Sequence, residues 1–177
     1  MKIKGLTLLL LIVLICGSCD KNNPPLFQME LFFELDIPAG LNTIESHFFL
    51  VQDVPTFAEA LLTGNGMSPE DVGRINGLTA NMTTRFSGLD LDFIENVGVF
   101  VVNGNNFDDR DEAFYIFNDF VDFGSKTEIQ MIPGLLDFKD QLLEETVDLE
   151  LRINLRGFLP SELDTRVTLT FDVYAPE

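Results

Sequence analysis

The chain has 177 residues, with 29 acidic against 11 basic side chains, a formal net charge of −18 and a single histidine. Such a field repels phosphate backbones and argues against a nucleic-acid role, and one histidine leaves nucleophilic triads and histidine metal clusters without their usual companions. Acidity does not mean disorder here: 46% of the residues are apolar and 17 are phenylalanine, enough for one domain that buries roughly 70% of its unfolded surface.

In chain order, Lys2 and Lys4 precede an apolar run from Leu6 to Ile15, which gives way to Cys16-Gly17-Ser18-Cys19. A positive start, a short hydrophobic run and small residues make a secretory signal. The run is too short for the ~20 residues that a bilayer-spanning helix needs. Ending on Gly17-Ser18-Cys19, the segment resembles a bacterial lipoprotein signal, in which cleavage precedes a cysteine carrying a diacylglyceryl group. The resemblance implies Cys19 as the lipidated mature N-terminus, since cleavage before Cys16 would put bulky Ile15 at the cut. It departs from the usual pattern in having Cys16 where leucine is common, and an ordinary secretory signal is the alternative. Without residues 1–18 the chain carries 9 basic and 29 acidic residues, a net charge of −20, and no cysteine beyond Cys19. Disulfides are then unavailable to the domain.

Asp20-Lys21-Asn22-Asn23-Pro24-Pro25 is polar and then proline-stiffened, and it is expected to be a tether reaching at most ~20 Å. Asp20 after the lipidated cysteine resembles the inner-membrane retention signal of enteric bacteria. The whole Gly-Ser-Cys-Asp-Lys segment, with a Phe-rich acidic domain, instead resembles lipoproteins of Bacteroidota. That implies the outer membrane, on its periplasmic or its outward face.

Period-two alternation dominates after the tether. Met29, Leu31, Phe33, Leu35 and Ile37 alternate with Gln28, Glu30, Phe32, Glu34 and Asp36. Val147, Leu149, Leu151, Ile153 and Leu155 are set against Asp148, Glu150, Arg152, Asn154 and Arg156, and Val167, Leu169, Phe171 and Val173 repeat the pattern. Each run puts one face in a core and the other in water, as antiparallel sheets do. Further strands are expected over Ile44–Val51, Leu78–Phe86, Val97–Val102, Ala113–Phe117 and Glu128–Ile132.

Helix signals are short. Thr56-Phe57-Ala58-Glu59 has capping-box spacing with Gly64 placed to end the helix, and Ser68-Pro69-Glu70-Asp71 offers an N-cap and a first-turn proline. Leu135, Phe138, Leu142 and Leu143 fall at helical spacing between Leu135 and Glu145. Together these predict residues 1–18 as signal, 19–25 as tether and 26–177 as one all-β domain. The domain is expected to be a two-sheet β-sandwich of about eight strands, jelly-roll-like, with two or three short helices.

Chemistry is sparse. There is no His-Glu-x-x-His, no Gly-x-Ser-x-Gly, no phosphate loop and no Cys-x-x-Cys, so no catalytic residue is assigned. His47 is expected to be a half-exposed strand histidine beside acids. Acid pairs such as Glu144-Glu145 arise by composition alone. The loop Asn103–Glu112 packs oxygen-bearing side chains between two strands, and Asp108, Asp109, Asp111 and Glu112 are candidate calcium ligands, calcium wanting about six to eight oxygens. The same residue types also dominate solvated hairpin loops for conformational reasons. Phe32 and Phe49 fall on the polar faces of their strands and are candidate partner contacts.

The expected function is that of a lipid-anchored, non-catalytic accessory or binding subunit of a Gram-negative outer membrane, touching the membrane through its lipid and a second envelope protein through the domain. A glycan- or calcium-dependent ligand-binding lipoprotein of a nutrient uptake system is the alternative. An exported carboxylate-dependent hydrolase is a third, resting only on acid pairs.

Overall fold

In the computed structural model, which describes residues 24–85, 90–102, 110–117 and 127–176, each of the three cleanest alternating runs is a long strand. Beta-strands β1 (Phe27–Ile37), β2 (His47–Pro55), β3 (Arg74–Thr84), β4 (Ile94–Val102), β5 (Arg110–Phe117), β6 (Glu128–Pro133), β7 (Thr146–Leu155) and β8 (Leu163–Tyr174) form the body. Helix α1 (Ala58–Gly64) and a 3-10 turn (Pro69–Asp71) link β2 to β3, and α2 (Lys139–Leu142) links β6 to β7. The fold is all-β and antiparallel, as expected.

The strand order is β1-β8-β3-β6-β5-β4-β7-β2. Its pairs are nested, β1 with β8, β2 with β7, β3 with β6 and β4 with β5, so the chain runs as one long hairpin rolled on itself. That is the jelly-roll connection. The two layers of the expected sandwich are halves of one continuous sheet. They join where β5 meets β6, through Phe114↔Pro133 and Tyr115↔Ile132, and β1 and β2 come together on the other side.

The core lies inside the roll. Met29, Leu31, Phe33 and Ile37 of β1, the five alternating residues of β7 and Val167, Leu169, Phe171 and Val173 of β8 are all buried. Phe114 of one half meets Phe171 of the other edge-to-face at 5.3 Å, and Phe138 packs on the same ring at 6.0 Å. Each ring contributes about 1.5–3 kcal/mol by burial, plus ~1 kcal/mol for a good aromatic pair. A Cβ at Gly77 would sit 3.0 Å from the Phe114 ring, so the glycine makes room for this contact.

Several expected boundaries move, each for a local reason. The ladder of β3 slips between Gly77 and Thr79. This bulge turns Leu78 outward while Ala80 and Met82 stay buried. The Asn42 Oδ1 accepts from the N–H groups of Ile44 and Glu45, so an Asx turn occupies the start of the run expected to be strand, and β2 begins at His47. The helix expected over Leu135–Glu145 shrinks to α2. Asp137 Oδ1 accepts from Ile75 N and Lys139 N, which ties the preceding segment to β3 and leaves Leu135 99% exposed. Thr56 caps differently from the expected box: its hydroxyl donates to the Glu144 carbonyl, and Phe57 takes the N-cap with φ 56°. The Ser68 box is present, with Asp71 Oδ2 accepting from both the N–H and the hydroxyl of Ser68 at 2.9 Å.

Candidate binding face

The outer face of β6-β5-β4-β7-β2 carries exposed Phe48, Leu50, Tyr115 and Ile132. Register sets one row straight across it: Ile132 opposite Tyr115, Tyr115 opposite Gly98, Gly98 opposite Arg152, and Arg152 opposite Phe48. Ile132, Tyr115 and Phe48 are exposed, Phe48 to 55%. The neighbouring row is Glu112, Phe100, Glu150 and Leu50.

Arg152 links the rows. Its guanidinium lies 4.3 Å from the Phe100 ring centre and 4.8 Å from that of Phe48, a cation held between two π faces. It also donates to Glu150 Oε1 at 3.2 Å, while Arg110 Nη1 reaches both Glu150 oxygens at 2.9 and 3.0 Å. Glu150, expected in water, is only 2% exposed. A carboxylate shielded to that degree persists only when paired, and here two arginines cover it. Leu50 of β2 and Phe100 of β4 stand opposite it in the ladder, and Arg110 of β5 reaches over it, so the outer face is roofed there.

Gly98 leaves a gap in the row. Asn96, Phe100, Glu112, Tyr115, Arg152 and Asn154 surround a shallow cleft of about 300 Å³ above it. Among the described residues, Asn96 Oδ1 and Arg152 Nε are buried without a hydrogen-bond partner. Both atoms are shielded from solvent within the wall of the cleft.

The expected site residues fare unequally. Phe32 is exposed on β1, under the Arg166 guanidinium at 5.2 Å, on the half of the sheet away from the row. Phe49 is corrected: it stands opposite buried Leu151 and packs on the core, and its neighbours Phe48 and Leu50 are the exposed pair. Both residue sets of β2 are apolar, so the parity that put Phe49 on the polar face had little contrast to rest on. Asp108 and Asp109 lie outside the described residues, as does Cys19. Asp111 and Glu112 belong to β5, opposite Val101 and Phe100. As successive strand residues they project to opposite faces, which separates Glu112 from an ion held by Asp111. Arg110, beside these acids in sequence, is engaged with Glu150. The His47 ring sits 2.8 Å from the Asn42 carbonyl.

A grouping not foreseen is Asp36 with Glu162 and Asp164, whose carboxylate oxygens lie within 4.8 Å of one another. Asp36 and Asp164 are cross-strand partners on β1 and β8, brought together by register alone. A hydrogen bond shared with Asp164, then burial and the charges of Asp164 and Glu162, hold the Asp36 carboxyl above the usual carboxylate range. Such a group can take up a proton or a cation; the three acids are surface residues.

No family model and no curated protein matches the sequence. Among solved structures, the chain is similar to the cyanophage Pam1 capsid asymmetric unit, at 9% identity and a TM-score of 0.40 over 90% of this chain and 91% of that chain. It is also similar to the structure of black queen cell virus, at 14% identity and a TM-score of 0.26 over 89% and 67% of the two chains. Scores this low carry no argument about function.

Proposed function

We propose that the protein is a lipid-anchored, non-catalytic binding subunit of a Gram-negative outer membrane that docks a second envelope protein on the outer face of β6-β5-β4-β7-β2. The observation that carries this reading is the row Ile132–Tyr115–Gly98–Arg152–Phe48. Five adjacent strands at about 4.8 Å spacing give it a length of roughly 19 Å, on the scale of the buried centre of a standard protein interface. Its composition, aromatic rings around an arginine, is that of interface hot spots. Arg152 is already fixed by Phe48, Phe100 and Glu150, so little side-chain entropy is lost on docking. Its guanidinium suits a partner that sets a carboxylate among apolar side chains.

The test is co-purification of the full lipidated chain from native membranes. Phe48→Glu and Ile132→Glu, at opposite ends of the row, should each remove the same stoichiometric partner, while Phe32→Glu on the other half of the sheet should retain it. Loss of the partner in Phe32→Glu, or its retention in both row variants, contradicts the reading.

A second reading has one observation in its favour, the partnerless Asn96 Oδ1 and Arg152 Nε beside the Gly98 cleft. A sugar hydroxyl would satisfy both once a side chain of the wall moved aside, as glycan binding at the same face requires. Titration with envelope oligosaccharides while following the Asn96 and Asn154 side-chain amide resonances separates the two: a saturable shift favours the glycan, no shift favours the protein partner.

A further inference from the structure

Antiparallel register sorts the loops of the roll to two ends. Phe27 pairs with Val173, Arg74 with Tyr174, Asn76 with Asp137, Pro55 with Thr146 and Val102 with Arg110. The tether residues 24–26, α1, the 3-10 turn and the β6–β7 connection therefore share one end. The same end carries Leu26, Phe57, Leu135 and Leu136, all exposed. Phe57 is exposed to 57% while holding a φ of 56°, a backbone region that side-chain-bearing residues disfavour. Its carbonyl caps α1 by accepting from Leu61 N, which accounts for the backbone; the exposed ring is what points to a role outside the fold.

We infer that this end rests on the bilayer and seats Leu26, Phe57, Leu135 and Leu136 at the boundary between headgroups and acyl chains. The inference rests on lipidation at Cys19, as proposed above. Four residues separate Cys19 from Pro24, a reach of at most ~20 Å, so the end that bears Pro24 stays beside the membrane. Apolar side chains held there gain by entering the interface. The lipid is zwitterionic: Glu59, Glu70, Asp140, Glu144 and Glu145 are exposed in the same connections, and they repel anionic headgroups. The docking row lies on the flank of the roll and stays free for a partner.

The chain has no tryptophan, so a single introduced indole reports its own surroundings. The full chain, purified from membranes and reconstituted in phosphatidylcholine vesicles with brominated acyl chains, is compared as Leu135→Trp, Phe48→Trp and Phe158→Trp. Phe158 is exposed in the β7–β8 connection at the opposite end. Leu135→Trp should be quenched severalfold more than the other two and emit further to the blue, and anionic lipid at low salt should weaken the quenching. If the chain floats with the vesicles but Leu135→Trp is quenched no more than Phe158→Trp, the inference falls while the anchor stands. Strongest quenching at Phe48→Trp would put the domain on its flank and overturn it equally. A chain that is not acylated at Cys19 and does not float removes both the anchor and the inference.

Discussion

The guanidinium of Arg110 meets both oxygens of Glu150 at 2.9 and 3.0 Å across the outer face of the sheet, where the carboxylate is as buried as a core residue. Arg110→Ala would leave that carboxylate with Arg152 alone. Removing one partner of a fully buried pair costs roughly 3–5 kcal/mol, and partial exposure of Arg110 places this site lower, at about 2 kcal/mol. Thermal unfolding should fall by several degrees, while Glu150→Gln, which removes the charge and keeps the shape, should cost less. Equal stability of Arg110→Ala and wild type would mean the pair is solvated.

Phe171 joins the two halves of the roll through its contacts with Phe114 and Phe138. Phe171→Ala should cost about 3–5 kcal/mol, measured as a shift of the denaturant midpoint with the slope unchanged. Gly77→Val should also destabilise, since its side chain would enter the Phe114 ring. A neutral Phe171→Ala would contradict the central position given to this ring.

Phe57 is left-handed and exposed, so Phe57→Gly should raise stability by up to about 1 kcal/mol as the strain is released. The same change should weaken the lipid contact of that end. A drop in melting temperature would show that Phe57 packs in the free protein.

Two carboxyls should titrate stability in opposite directions. Asp36 is held above the usual range by Asp164 and its surroundings. Its contribution is present below the unfolded value of about 4 and is lost as pH rises through the raised folded value. Asp71 is held below the usual range by the backbone N–H and hydroxyl of Ser68, so its contribution is present at neutral pH and is lost as pH falls. Asp36→Asn should therefore raise the melting temperature at neutral pH and Asp71→Asn should lower it. Both differences should shrink toward about pH 3. Melting curves across that range check both signs, and a lower melting temperature for Asp36→Asn at neutral pH contradicts the first.

Strands with one apolar set were legible from alternation: β1, β7 and β8 bury the residues whose spacing points inward, Leu35 only in part. Where both sets are apolar, as in β2, alternation located the strand but put Phe49 on the polar face; pairing with β7 turns Phe49 toward the core and leaves Phe48 exposed. Local patterns also miss interruptions made elsewhere. The Leu135–Glu145 spacing is helical, yet a hydrogen bond from Ile75 to Asp137 holds the first turn against β3. The binding face was the least legible, because its row takes one residue from each of five strands and Glu150 is shielded by Arg110 from a strand 40 positions away. The Asp36–Asp164 approach is of the same kind, a product of register rather than spacing.

Docking of an envelope protein on the row from Ile132 to Phe48 can be read out where it would occur. Photo-crosslinking in intact cells tests it most directly, with p-benzoylphenylalanine placed singly at Phe48, Tyr115 or Phe32 of the full chain. One adduct of the same size is expected from Phe48 and Tyr115, lost in each when Arg152 is replaced by alanine, and none from Phe32. Adducts of unrelated sizes at the two row positions, or an equal adduct from Phe32, would contradict it.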